Sequence, residues 1–126
     1  MAGSIKVIKL TVKPAKEIIG EFATALERAR HGGKTEHRVG ISFESIDGLR
    51  NVLTKRRLEL LSVIKHKKPQ SVYKLSKLLN RDLKSINTDL KVLKENDFVE
   101  LRKVNEGRQR VVPVVEFDKI DIMVEV

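Results

Sequence analysis

Three features of this chain predict an α+β fold. Residues 71–95 carry two amphipathic helical patterns separated by Asn80-Arg81-Asp82. Residues 98–115 carry a hydrophobic alternation interrupted by Asn105-Glu106-Gly107-Arg108, and both ends of the chain alternate apolar and charged residues in the manner of strands. Helix, turn, helix and hairpin in that order make a winged helix-turn-helix, here with an N-terminal strand-helix extension and a C-terminal strand. The expected division is residues 1–44 as a strand-helix-strand extension for dimerisation or partner binding, 45–116 as the winged unit, and 117–126 as a last strand.

Ile5 to Lys13 reads as the first strand, with Ile8, Leu10 and Val12 alternating against Lys9, Thr11 and Lys13, and Pro14 closes it. Ile18, Ile19, Phe22, Leu26 and Ala29, widened by Ala15 and Ala25, form the stripe of a helix of about five turns that Gly32-Gly33 stops. Gly20 inside that stripe costs on the order of 1 kcal/mol relative to alanine. His37 to Phe43 is extended, and Ser45 caps a short helix bearing Ile46, Leu49 and Leu53. Thr54 caps the next helix, whose Leu58, Leu61 and Ile64 recur at spacing three with Leu60 beside them. Lys65-His66-Lys67-Lys68-Pro69 ends it, because cations suit a helix C-terminus and the residue before a proline resists helical geometry.

Ser71 opens a helix with Val72, Leu75, Leu78 and Leu79 as its apolar positions, and Asn80-Arg81 turns the chain. Asp82 caps the last helix, expected to turn Leu83, Ile86, Leu90 and Leu93 inward until Asn96-Asp97 stops it. Phe98, Val99 and Leu101 begin a strand, Gly107 supplies a residue free to take positive φ, and Arg110 to Val115 returns. Finally Ile120, Ile122, Val124 and Val126 alternate with Asp121 and Glu125, while the first strand carries Lys6, Lys9 and Lys13. Opposite charges across a ladder favour pairing, so the first and last strands are expected to pair, within one chain or between two.

A chain of 126 residues, 40% hydrophobic and 34% charged, has room for one domain with a core and enough charge to cover it. Cysteine is absent, which excludes disulfide scaffolds and thiolate metal sites and suits a reducing compartment. No apolar run approaches the roughly 18 residues of a membrane span, and Met1-Ala2-Gly3-Ser4-Ile5-Lys6 lacks the apolar core of a secretion signal. A cytoplasmic location with no membrane partner is therefore expected. The net charge of +9 is unevenly spread: +2 over residues 1–47, +10 over 48–112 and −3 over 113–126. A cationic surplus on the helix-turn-helix segment is what binding a polyphosphate backbone requires, although lysine-rich surfaces also serve solubility.

With its apolar stripe inward, the last helix turns Lys84, Ser85, Asn87, Thr88, Lys91 and Lys94 outward. Asparagine can pair bidentately with adenine, lysine can donate to guanine acceptors, and hydroxyls can reach bases or phosphates. Lys84, Ser85, Asn87 and Thr88 are thus the candidate base readers and Lys91 a candidate phosphate contact; a plain solvated face would look the same. Ser71, Tyr73 and Lys74 lie where a helix N-terminus can receive a phosphate, with Arg81 in the turn beyond. Arg102, Lys103, Arg108 and Arg110 surround the hairpin tip, suited to the backbone or a narrow minor groove, or simply to guarding an exposed edge. Lys55 and Arg56, with Arg57, place cations in a helix's first turn, where they oppose the macrodipole by a few tenths of a kcal/mol each. A phosphate or an acidic partner there would offset that cost.

The runs Leu53-Thr54-Lys55-Arg56-Arg57-Leu58-Glu59-Leu60-Leu61, Ser71-Val72-Tyr73-Lys74-Leu75-Ser76 and Asn80-Arg81-Asp82-Leu83-Lys84-Ser85-Ile86 resemble the MarR-like winged helix-turn-helix regulators. They are most similar to a group of short prokaryotic DNA-binding proteins, some encoded beside a small toxin. The resemblance covers roughly residues 42–116 and implies a homodimer on a palindromic operator and an antitoxin that binds its toxin and represses its own operon. Two features depart from that pattern: Leu83 is apolar where many such regulators place a polar reader, and no sensor cysteine or effector pocket is evident.

His31-Gly32-Gly33-Lys34-Thr35 ends like a phosphate-binding loop, but the motif's first glycine would fall at Arg28, inside a helical pattern. His31, His37 and His66 have no ligand spacing, so neither metal nor cofactor is expected, and no nucleophile, base and orienter form a set. The expectation is therefore a duplex-DNA-binding regulator, a repressor, that is not an enzyme. The alternative is a winged-helix interaction module that neutralises a partner protein with little DNA binding. RNA binding is less favoured, since single-strand recognition leans on stacking and the chain is only 4% aromatic.

Overall fold

The computed structural model describes residues 5–13 and 40–126. The helix expected from Ala15 to Ala29, its Gly32-Gly33 stop and His37 lie outside the described residues. The described elements are β1 (Val7–Val12), β2 (Gly40–Phe43), α1 (Ile46–Val52), α2 (Lys55–Lys67), α3 (Val72–Leu79), α4 (Leu83–Glu95), β3 (Glu100–Val104), β4 (Arg110–Val114) and β5 (Lys119–Val124). The class is α+β as expected, and the order from α2 to β4 is compatible with a winged-helix-like arrangement.

The chain divides into two units, one of residues 1–51 with 119–126 and the other of residues 52–118. The boundaries lie at 51/52 and 118/119, near the 44/45 and 116/117 read from the sequence, and the last strand shares a unit with the first. β1 lies at the centre of a sheet ordered β2-β1-β5 and is parallel to both neighbours. Ile8, Leu10 and Val12 are buried, and the register places Ile41 and Phe43 of β2 and Ile120, Ile122 and Val124 of β5 on their face. The expected pairing of first and last strands is thus present within one chain, and Lys9 faces Asp121 across it. Two parallel neighbours require two crossovers. One connects β1 to β2, and the other, from β2 to β5, contains the entire 52–118 unit in sequence. Lys13, expected on the solvent side, is buried where its amide donates to the Phe43 carbonyl at 3.0 Å. Lys9→Glu should oppose like charges in the ladder and destabilise this sheet by roughly 0.5 kcal/mol, recovered by adding Asp121→Lys. Thermal melting of the single and double variants measures it, and equal losses in both would show that the facing charges do not interact.

In the 52–118 unit the helix starts follow from local capping. The Thr54 hydroxyl accepts from the Arg57 amide at 3.2 Å, the Ser71 hydroxyl from the Lys74 amide at 3.0 Å, and the Asp82 carboxylate from the Ser85 amide at 2.7 Å. Ser45 does the same for α1 of the other unit, taking the Gly48 amide at 3.1 Å. Lys68 and Asn80 end α2 and α3 in the left-handed conformation, and Asp97 takes it just after α4. Leu60, Leu61 and Ile64 of α2, Val72 and Leu75 of α3, and Ile86, Leu90 and Leu93 of α4 are buried with Phe98, Val99 and Val115. Phe98 meets Phe117 edge to face, ring centroids 6.4 Å apart. β3 and β4 pair antiparallel from Glu100↔Val114 to Val104↔Arg110, and Gly107 at φ +77° turns the tip.

Four leucines and isoleucines of the helices expected inward are exposed: Ile46, Leu58, Leu78 and Leu83. Ile46, Leu58 and Leu83 sit in the first turn of their helices. A helical side chain leans toward the helix N-terminus, so at the first positions it projects past the end of the helix instead of against a neighbour.

Candidate nucleic-acid interface

Leu83, Lys84, Asn87, Thr88 and Lys91 line one shallow hollow along the outer side of α4. All are exposed. Leu83, at 44% exposure, thus joins the candidate reading face rather than the core. The Thr88 hydroxyl donates to the Lys84 carbonyl at 3.0 Å, which leaves its oxygen lone pairs to accept.

A second, larger cleft of about 620 Å³ lies at the N-terminal ends of α2 and α4, lined by residues 54–57, 81, 82, 84, 85, 88 and 89. Its floor is an ion-pair network. Asp89 accepts from Arg57 Nε at 3.1 Å through one oxygen and from Arg81 at 2.7 Å through the other. Arg81 also donates to the Ser85 hydroxyl at 2.6 Å, and Arg57 to the Val52 carbonyl at 3.2 Å. The three charged side chains are only 14–19% exposed. Arg81, expected with Ser85 at the nucleic-acid surface, is therefore engaged with Ser85 and Asp89, and the cations of the lining that remain exposed are Lys55, Arg56 and Lys84. Asp89 was missed by sequence reasoning, though it is the single acid on α4 between Lys84 and Lys91.

At the start of α3 the Ser71 hydroxyl is occupied as the cap, and Tyr73 is exposed with the Lys77 ammonium 5.3 Å from its ring centre. Lys74 and Lys77 join Lys67 and Lys68 around a separate basic hollow.

The hairpin cations divide into two pairs. Arg102 bonds to both Glu100 oxygens at 3.0 and 3.1 Å and to Glu116 at 2.9 Å, and Arg110 donates to the Gln70 carbonyl at 3.1 Å and the Glu106 carbonyl at 3.5 Å. Nearby carboxylates thus engage Arg102 and carbonyls of neighbouring loops engage Arg110, while Lys103 and Arg108 stay exposed. The Arg102 hydrogen bond holds the Glu100 carboxyl below its ordinary value. A depressed folded-state value means that this pairing contributes above the unfolded carboxylate range and is lost as pH falls through the folded one.

Among the described residues no group of three His, Asp or Glu side chains is placed to hold a metal ion, and no helix is long and apolar enough to cross a membrane.

The HVO_A0114 family model matches residues 52–122, more than half of the 126. The chain belongs to the HVO_A0114 family. The match takes in the whole 52–118 unit, with the α4 face, the ion-pair network and the hairpin, and runs into β5. No curated protein and no solved structure matches the chain. In this HVO_A0114 member the candidate surface and the family match fall on the same unit.

Proposed function

We propose that the 52–118 unit is a winged helix-turn-helix that binds duplex DNA sequence-specifically, as a transcriptional repressor of the MarR-like kind, with α4 in the major groove and the β3–β4 hairpin as the wing. The observation that carries this reading is the continuity of two surfaces. The α4 hollow and the cleft at the α2 N-terminus share Lys84 and Thr88, so candidate base readers adjoin Lys55 and Arg56. The two carboxylates in that continuous surface are already used, Asp82 in the cap and Asp89 in the ion pairs. A strip that offers amide, hydroxyl and apolar groups beside unneutralised cations suits base edges flanked by phosphates. Leu83 adds a group fit for a thymine methyl.

Selection of bound duplexes from a random pool, followed by anisotropy titration at several salt concentrations, tests the proposal. Asn87→Ala should cost about 1–3 kcal/mol on the selected site and relax preference at one position, whereas Arg108→Ala, acting at the DNA backbone, weakens all sequences alike. Failure to enrich any sequence, or salt-independent binding, would refute it. Stable association with a protein partner and no DNA affinity would instead favour the interaction-module reading.

A further inference from the structure

The geometry points to β5 as a self-pairing edge: two copies of the chain join antiparallel along β5 about a twofold axis at Ile122, so that their three-stranded sheets become one of six strands. Among the described residues β5 has β1 on one side and no strand on the other. The amide of Lys119 donates to the carbonyl of Lys6, just before β1, and that of Glu125, just after β5, to the carbonyl of Val12. Because backbone groups alternate sides along a strand, the amides and carbonyls of Ile120, Ile122 and Val124 point to the open edge. The same residues lie on the face of the buried Ile8, Leu10 and Val12, yet Ile122 is 52% and Val124 49% exposed. The apolar face of the sheet therefore continues to its margin and stops uncovered.

Edge strands usually carry a device against pairing: shortness, proline, a bulge, charged side chains on the edge or pointing inward, or a covering element. The opposite edge, β2, has shortness, with four residues. β5 has six residues, paired in unbroken register with β1, and no proline. Its charges select the partner. With Ile122 opposite its own copy, Ile120 faces Val124 and Lys119 faces Glu125 at both ends, so apolar meets apolar and cation meets anion. Moving the axis one residue toward the N-terminus opposes Asp121 to itself, and one residue toward the C-terminus opposes Asp121 to Glu125. The register at Ile122 also draws its hydrogen-bonded pairs, Ile122 with its own copy and Ile120 with Val124, from residues whose backbone groups point outward, which the antiparallel ladder needs.

The test is the mass of the 126-residue chain in solution, by light scattering or sedimentation. The wild type should run at twice 14.4 kDa. Ile122→Pro removes an amide that faces away from β1, so the intramolecular ladder keeps its bonds and only the bonds at the axis disappear; dissociation should strengthen by more than about tenfold with an unchanged circular dichroism spectrum. Lys119→Glu should weaken the pair and Lys119→Glu with Glu125→Lys should restore it. Ile122→Cys, in a chain without other cysteines, should oxidise to a covalent dimer, since facing α-carbons in such a pair lie about 5.5 Å apart. A wild type at 14.4 kDa, an Ile122→Pro variant still paired, a double charge exchange that does not restore pairing, or an Ile122→Cys variant that forms no cross-link would each overturn the proposal.

Discussion

Replacing Asp89 with alanine should lower the stability of the 52–118 unit by about 2–4 kcal/mol, the largest loss expected from any single polar side chain in it. The carboxylate bridges two guanidiniums that the fold has withdrawn from water, and its removal takes that shared anion from both. Breaking a fully buried pair costs about 3–5 kcal/mol, and the residual exposure of these groups lets water recover part of it. Arg81 Nε is already buried with no hydrogen-bond partner, so this guanidinium has little reserve when its anion is gone. Urea unfolding followed by circular dichroism gives the value as a lowered midpoint at constant slope. Asp89→Asn, which keeps an acceptor but loses the charge, should fall between alanine and wild type. A midpoint unmoved by Asp89→Ala would mean that Arg57 and Arg81 hold their places without it.

The second large effect concerns binding rather than folding. Arg56→Glu with Lys84→Glu should reduce affinity for duplex DNA by about 10²–10³-fold at physiological salt and flatten the salt dependence by roughly 0.9 in logarithmic slope for each phosphate no longer neutralised. Both side chains are exposed, and no bond to either is needed by the ion-pair floor beneath them, so the unfolding midpoint should hold. Together the Asp89 and Arg56/Lys84 variants separate a residue that shapes the cleft from residues that would meet the nucleic acid. Undiminished binding by the double variant would remove this cleft from the DNA surface.

What the sequence made legible was mostly local. The Thr54, Ser71 and Asp82 caps could be placed because a capping hydroxyl or carboxylate reaches amides only three residues away. Pairing of the first and last strands could be inferred because period and charge were both complementary; that they run parallel could not, since a facing pair such as Lys9 and Asp121 is compatible with either direction. Residues brought together across the fold were hidden. Asp89 lies 32 residues from Arg57, and no periodicity links them. The Arg102–Glu116 contact was hidden likewise, because the two lie 14 residues apart. Leu83 was misplaced for a different reason: helical period gives the side on which a residue lies, not whether a neighbouring element extends far enough to cover it.

The threading of residues 52–118 between the neighbours of β1 gives the sheet a timetable. Val12 is matched with Val124, so the central strand must wait for over a hundred further residues before its second neighbour exists. At a synthesis rate of about 5–20 residues per second that interval is roughly 6–22 seconds, long against the formation of helices and hairpins. Residues 52–118 have a core of their own and can collapse during it, whereas Leu10, fully buried in the finished protein, has until then a bare flank. A strand made late is thus the one that seals a strand made early, and any chain cut short before β5 would pair a finished helical unit with an unfinished sheet.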